Sequence, residues 1–307
     1  MSEPTNVPSG TPDPGRFALA VLLAGATAIA FAPIFVRLSE LDPLTTAFYR
    51  VFFAVPALWV WTIVPAGAQR RTRKPAGPRD YARLSLAGVF FAGDLGFWHW
   101  SIALTSVANA TLLANFAPVF VALGGFLLFG ERFTRLFLVG LVLALAGAVI
   151  LMGDSLSLDP HHIRGDGLGI VTAMFYGAYI LTVGRLRADF STARIMVWSS
   201  AVAAILLLPV SLAFGTGLAA ATAFGWAVLV GLALLSHAGG QGMIAFALAH
   251  LPASFTSVGL LLQPVVAALL AWVILSEPVG AVQAAGALVI LAGIFFAHRG
   301  RNPVRAG

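Results

Sequence analysis

Long apolar runs alternate with short polar breaks along almost the whole chain. Ten runs stand out, near residues 17–36, 45–65, 85–105, 107–129, 134–152, 167–184, 195–214, 223–247, 253–275 and 280–297. A helix that crosses the hydrocarbon layer of a membrane needs roughly 20 mostly apolar residues. Helix is the expected state of each run, because a lone segment in lipid must satisfy its own backbone N–H and C=O groups. The pattern predicts an all-α polytopic membrane protein with ten transmembrane helices, short connections and no extramembrane domain. Arg16 followed by FALAVLLAGATAIA has the outline of a signal peptide. The run continues past Phe35 and has a counterpart later in the chain, so it reads as a first span.

Composition sharpens the class. Hydrophobic residues make up 59% of the chain and charged residues 10%, against about 45–50% and about 25% in soluble domains. A soluble enzyme, a nucleic-acid-binding domain and a disordered chain are excluded on this ground. There is no cysteine, so disulfides, thiolate metal sites, iron–sulfur clusters and cysteine nucleophiles are excluded too. The first residues, MSEPTNVPSGTPDPG, are rich in Pro, Ser, Thr and Gly and read as a disordered tail over 1–16.

The net charge of +6 would suggest a nucleic-acid partner in a soluble protein; here its placement matters instead. With the N-terminus inside, the inner segments hold Arg16, then Arg70, Arg71, Arg73, Lys74, Arg79 and Arg83, then Arg132 and Arg135, then Arg185, Arg187 and Arg194, and finally Arg299, Arg301 and Arg305. Only Arg37 and Arg164 fall outside, and Arg50 lies within a span. Lys and Arg concentrate on the cytoplasmic side of membrane proteins, so both termini are expected in the cytoplasm. A basic tail follows over 298–307.

The chain also repeats itself. Residues 103–150 align without gaps on 249–296: Pro118 on Pro264, Val119 on Val265, Ala122 on Ala268, Glu131 on Glu277, Gly140 on Gly286, and Leu145-Ala146-Gly147 on Leu291-Ala292-Gly293. Gly96 falls on Gly242, and Arg37-Leu38 falls on Arg185-Leu186 at a slightly longer offset. Two repeats follow, 17–152 and 167–297, joined by an outer loop over 153–166. Each holds five spans. Five is odd, so the second enters the membrane from the opposite side. Inverted repeats place a binding site near the midplane between the halves and give alternating access a structural basis.

Three stretches carry a further likeness: Phe97-Trp98 through to Asn115, FGERF at 129–133, and HAGGQGMIAFALAHLPA at 237–253. With the five-span halves, they resemble the EamA family of the drug/metabolite transporter superfamily. The resemblance covers about 17–297. It implies ten helices, cytoplasmic termini, a central cavity, a last span of each half packed at the periphery, and export of small metabolites, often amino acids, across a bacterial inner membrane. The second half reads Ser276-Glu277-Pro278 where the first reads Gly130-Glu131-Arg132, a departure from the motif.

Ionisable groups inside a membrane are costly and mark function by default. Arg50, Asp94, His99 and His237 are the ones here. Asp94 shares a helix face with Trp98 and Ser101, a stripe suited to the cationic end of a substrate or to a proton. An alternative is a structural pair with Arg50. His99 lies roughly 140° around the helix from Asp94 and reads as a packing histidine. His237 and Gln241 share a face in the eighth span; histidine titrates near physiological pH, so protons are a candidate coupling ion. Arg50, with neighbouring Tyr49, is a candidate for a substrate carboxylate. Pro118 and Pro264 each remove a backbone donor and should disturb the helix near Ala114 and Leu260, so they are candidate hinges. Thr111 and Asn115 lie on a stripe with Pro118, Thr256 and Gln263 on another, and Tyr176 and Tyr179 can face a cavity together. Gly140, Gly147, Gly286 and Gly293 read as close helix packing. Glu131 and Glu277 read as caps or loop anchors. His161 and His162, with Asp154, Asp159 and Asp166, read as a solvated loop; no metal or cofactor site is assigned.

An intramembrane aspartyl protease needs two aspartates within spans, and only Asp94 qualifies. The Gly-x-Ser candidate, Gly153-Asp154-Ser155, lies in a loop, and no nucleotide-binding loop is present. The expected function is therefore a secondary transporter, an exporter of amino acids, with a small molecule and the lipid bilayer as its partners and no nucleic acid. The alternatives are an exporter of organic cations or drugs and a non-transporting scaffold.

Overall fold

The apolar runs fold into helical rods, seen in a computed structural model that describes residues 14–63, 72–153, 160–275 and 279–302. The tail residues 1–13, Arg70, Arg71, Asp154, Ser155, Asp159, Ser276, Glu277, Pro278 and Arg305 lie outside the described residues. The rods are α1 Gly15–Leu38, α2 Pro43–Ile63, α3 Pro78–Leu104, α4 Ala108–Phe129, α5 Arg135–Met152, α6 Ile163–Leu186, α7 Thr192–Phe214, α8 Ala223–Ala247, α9 Ala253–Ile274 and α10 Ala281–Gly300. Nine of them, all but α3, are long and apolar enough to cross a membrane. α3 is the longest at 27 residues, but Arg79, Asp80 and Arg83 crowd its start and Asp94 sits within it. Leu128, Val273 and Ile205 are among many large apolar side chains on the outer surface, which only a lipid or detergent environment can accommodate on this scale.

Short polar breaks set the rod ends. Asp42 accepts from Thr45 N at 3.0 Å, Ser106 from Asn109 N at 3.0 Å, Thr134 from Phe137 N at 3.1 Å and Thr222 from Gly225 N at 3.1 Å. Each satisfies an otherwise orphaned N–H at the start of α2, α4, α5 or α8. Gly130 closes α4 at φ 63°, a left-handed value that favours glycine. Just beyond it, the Glu131 carboxylate folds back to Gly125. Its pKa is pushed up by burial and held back by Arg185 nearby.

Several rods are interrupted rather than straight. α4 breaks at Asn115–Phe116 and α9 at Leu260–Leu261, each just ahead of its proline. There Phe116 N donates to Leu113 O at 3.1 Å and Leu261 N to Val258 O at 3.0 Å, tight turns that bypass the missing proline donor. The disturbance falls within about a residue of the places read from the sequence. α1 breaks similarly at Ala30–Phe31 before Pro33, and α8 widens into a π-helix over Leu232–Gln241.

Packing follows the repeat. α3 lies on α6 and α7, and its repeat mate α8 lies on α1 and α2; α4 lies on α6, and α9 on α1. α5 and α10 pack mainly on each other, at the edge of the bundle. Glycine makes that contact possible. A Cβ on Gly140 would stand 2.6 Å from Gly293 O, and one on Gly293 would stand 2.7 Å from Gly140 O. One on Gly147 would stand 2.8 Å from Gly286 O, and one on Gly286 would stand 2.9 Å from Gly147 O. The pairing runs antiparallel and is reciprocal, as between two copies of one surface.

Polar clusters tie the halves at both ends. At the arginine-rich end, Arg73 pairs with Asp80, Arg83 pairs with Asp189 at 2.8 Å, and both guanidiniums lie over the Phe190 ring. The hydrogen bonds from Arg73 hold the Asp80 carboxyl down at about 2. At the other end, Glu40 accepts from Ala221 N at 2.8 Å and Thr222 N at 3.0 Å, and Asp42 accepts from Thr216 N at 3.0 Å. The bond from the Thr222 hydroxyl, followed by those from the Thr222 and Ala221 backbone, lowers the Glu40 pKa. There too, Asp166 accepts from Thr105 and Asn109 at 2.8 and 3.1 Å and pins α6 to the turn after α3.

Candidate functional site

The interruptions converge on one cavity of about 120 Å³ in the middle of the bundle. Ala30 and Pro33 come from the α1 break, Asn115 and Pro118 from α4, Leu260, Leu261 and Pro264 from α9, and Gln241 from the π-helix of α8. α2 adds Arg50, α3 adds Asp94 and Trp98, and α6 adds Tyr176. Interrupted helices are tolerated where they line a cavity, because freed backbone groups find partners there. A larger cavity of about 560 Å³ continues from the first. It shares Pro33, Trp98, Thr111, Pro264 and Ala267 and reaches Arg37, Pro43 and Gln283, at the end of the bundle opposite the arginine cluster.

The chemistry of the central cavity is compact. Arg50 is 5% exposed, and no Asp94 oxygen lies within 4.0 Å of it. The two charges share the cavity and interact electrostatically without direct contact. Arg50 Nε, Thr111 Oγ1, Asn115 Nδ2 and Gln241 Nε2 are buried without a hydrogen-bond partner. Buried polar groups are nearly always satisfied, at a cost of about 1–3 kcal/mol each when they are not. Four such groups stand in the wall of one cavity, where a polar guest can supply their missing partners. Trp98, Phe91, Ile29, Leu95, Leu260 and Leu261 supply an apolar remainder.

Most residues singled out in the sequence meet here: Arg50, Asp94, Trp98, Thr111, Asn115, Pro118, Tyr176, Gln241, Gln263 and Pro264. Six others do not line the cavity. Ser101 shares the Asp94 stripe but stands seven residues, roughly 10 Å, further along the helix, where its hydroxyl donates to Gly165 O at 2.7 Å. Tyr49 turns away from Arg50, stacks on Phe53 and meets Trp226 edge to face, with ring centroids 5.0 and 5.4 Å apart. Tyr179 and His237 form a layer behind Phe91, whose ring lies 4.8 Å from one and 5.0 Å from the other. His237 Nε2 is 2.8 Å from Ser200 Oγ. His99 Nδ1 faces Leu95 O at 2.7 Å away from the cavity. On α9 it is Ser257, not Thr256, that reaches the wall. Sequence reading passed over Pro33, Thr172, Ser257 and Phe91. Pro33 carries the same signal as Pro118, a proline inside an apolar run. Thr172, Ser257 and Phe91 carry none, since nothing in an apolar helix marks which face is inward.

The EamA-like transporter family matches residues 16–153 and again 163–299. The chain belongs to the EamA-like transporter family. Its halves are two repeats of that unit, and the family and the relatives found are transporters rather than enzymes. An uncharacterized transporter of Archaeoglobus fulgidus is 29% identical over 87% of this chain and 91% of its own. The pseudopaline exporter of Pseudomonas aeruginosa is 25% identical over 88% and 93%. A probable terminal-alkyne amino-acid exporter of Streptantibioticus cattleyicolor is 26% identical over 74% and 76%. Among solved structures, one crystal structure of a protein superposes with a TM-score of 0.78 at 18% identity, covering 94% of this chain and 99% of the other. That likeness is one of fold. For this family member, a multi-pass membrane protein, the central cavity is the candidate transport site.

Proposed function

We propose that this chain is a secondary exporter of small zwitterionic metabolites, amino acids in the first instance, working by alternating access. The observation that carries the reading is the presence of Arg50 and Asp94, without direct contact, in one cavity with apolar walls. A substrate carboxylate meets Arg50, its ammonium meets Asp94, and its side chain lies against Trp98, Leu260 and Leu261. Tyr176 stands beside Gln241 and Gln263, an amide and phenol rim for polar substituents. The pseudopaline and amino-acid exporters among the relatives support the same substrate class.

In this reading α3 is the tenth span, the repeats are inverted, and the arginine-rich end faces the cytoplasm of a bacterial inner membrane. The antiparallel, reciprocal contact of α5 with α10 supports inversion, as does the ring contact between the repeat mates Phe91 and His237. The larger cavity then opens outward, and the Arg83–Asp189 cluster lies at the closed inner end. Organic cations remain a second reading, in which Asp94 and Trp98 suffice and Arg50 does not take part.

Counterflow in liposomes holding only this protein tests both. Vesicles preloaded with unlabelled amino acids or organic cations receive trace labelled partner outside, with and without a pH gradient. Saturable amino-acid exchange is expected, and a response to the gradient would point to Asp94 as the proton carrier. Exchange confined to organic cations would replace the first reading with the second. The absence of exchange for every panel member would return the cavity to an unassigned metabolite or the chain to a scaffold role.

The breaks in α4 and α9 are the moving parts. Pro118→Ala with Pro264→Ala restores the backbone donors and straightens both rods. Turnover is expected to fall about tenfold while half-saturation shifts by less than about threefold, because a hinge acts on rate more than on binding. Unchanged turnover in the double variant would remove the hinge role.

A further inference from the structure

A second groove shares no residue with the central cavity. It runs for about 490 Å³ between α3, α4 and α6, in the half of the bundle nearest the arginine-rich end. Leu86, Leu123, Leu127 and Met174 line it, and all four are exposed on the lipid-facing surface. Arg83 and Arg185 stand at its mouth. The Arg185 guanidinium lies 3.6 Å over the Phe129 ring, and no carboxylate lies within 4.0 Å of it among the described residues. Arg83 is held at 2.8 Å by Asp189. Glu131, the other acid nearby, is folded against Gly125 beyond salt-bridge distance of Arg185 but within its electrostatic reach.

We propose that this groove binds one anionic diacyl phospholipid, its acyl chains between α3, α4 and α6 and its phosphate on Arg185 and Arg83. The apolar walls match acyl chains better than a water-soluble anion, and the arginines favour an anionic headgroup over a neutral one. Arg185 lies over the Phe129 ring at the groove, and an arginine on an aromatic ring keeps its in-plane donors directed outward. Basic pockets between helices at a membrane surface favour anionic headgroups in this way. Arg73, Lys74, Arg79, Arg132 and Arg135 add positive charge at the same end. The inference needs the arginine-rich end at a membrane surface. It does not need the transported molecule, so it stands or falls apart from the exporter reading.

The test uses the full chain in a mild detergent. Phosphatidylglycerol, cardiolipin, phosphatidylcholine and free glycerol phosphate are added in turn. Native mass spectrometry reads the retained lipid, and thermal unfolding reads stability. One phosphatidylglycerol or cardiolipin per chain is expected to be retained, with a higher Tm than in phosphatidylcholine and no effect of glycerol phosphate. Arg185→Gln should weaken retention about fivefold, the loss of one basic contact near an anionic surface. Leu123→Trp, which fills the groove and leaves both arginines, should weaken it as well. Arg185→Lys should restore part of it. Equal retention of phosphatidylcholine and phosphatidylglycerol, or retention undiminished in both Arg185→Gln and Leu123→Trp, overturns the proposal. Should Arg185→Gln fail to fold, Leu123→Trp decides alone. A response to glycerol phosphate matching that to the lipids would assign the arginines to a soluble anion and likewise overturn it.

Discussion

Gly293→Leu is expected to abolish accumulation of the folded protein. A Cβ at this position would stand 2.4 Å from Ala144 N and 2.7 Å from both Ala144 Cα and Gly140 O. All three are backbone atoms of α5, so no side chain can rotate away to make room. Relief requires α5 and α10 to separate, and the reciprocal contacts at Gly140, Gly147 and Gly286 then loosen together. Ordinary overpacking in a core costs about 1–3 kcal/mol; rod separation forfeits the whole interface and exceeds that. Lipid offers no hydrophobic drive to push the rods back together, since close packing is itself the source of helix association in a membrane. Gly217 is the control, because a Cβ there meets nothing within 4 Å. Size exclusion in detergent and thermal unfolding read both variants. Gly217→Leu should elute and melt like the parent chain, whereas Gly293→Leu should aggregate or melt far lower. A monodisperse Gly293→Leu protein with the parent Tm would sink the packing account.

Asp94→Asn and Arg50→Gln are expected to cut exchange by about ten- to a hundredfold each while the fold survives. A hydrogen bond to a charged group is worth about 1.5–3 kcal/mol, and about 1.4 kcal/mol is a factor of ten. The fold is expected to survive because Asn and Gln keep the approximate size and polarity of the side chains they replace, and no direct ion pair is broken. The two variants separate the substrate readings. A zwitterion needs both groups, so both variants lose exchange. An organic cation needs Asp94 alone, so Arg50→Gln keeps or improves its transport. Exchange of an amino acid at the parent rate by Asp94→Asn, in protein of parent stability, would exclude the carboxylate from binding.

The contrast between residues on one stripe shows what periodicity can and cannot read. Asp94, Trp98 and Ser101 share a helix face, but only the first two reach the cavity, because the stripe continues past the cavity's rim. Tyr176 and Tyr179 are one turn apart, and one lines the wall while the other lies behind Phe91. Depth along a rod depends on where its neighbours break, and Ala30, Asn115 and Leu260 belong to three different rods. The π-helix that delivers Gln241 was not legible either. It arises where the Gly239-Gly240 stretch passes close to α1: a Cβ on Gly240 would stand 2.7 Å from Ile29 Cγ1.

Hydrophobic run lengths, the aligned prolines and glycines, and the FGER turn were sufficient on their own for the helical class, the two repeats and the break points of α4 and α9. They report local physics: lipid-length apolar segments, a missing donor, a left-handed residue. Tertiary structure alone decided which polar side chains meet. That Arg50 and Asp94 share one cavity without direct contact, that Ser101, Tyr49, Tyr179 and His237 stand outside it, and that Arg185 tops a lipid-facing groove all follow from how the rods cross. In a chain whose helices are apolar on every side, no amphipathic face announces the interior, so the crossing is set by backbone contacts at glycines rather than by any pattern along one helix.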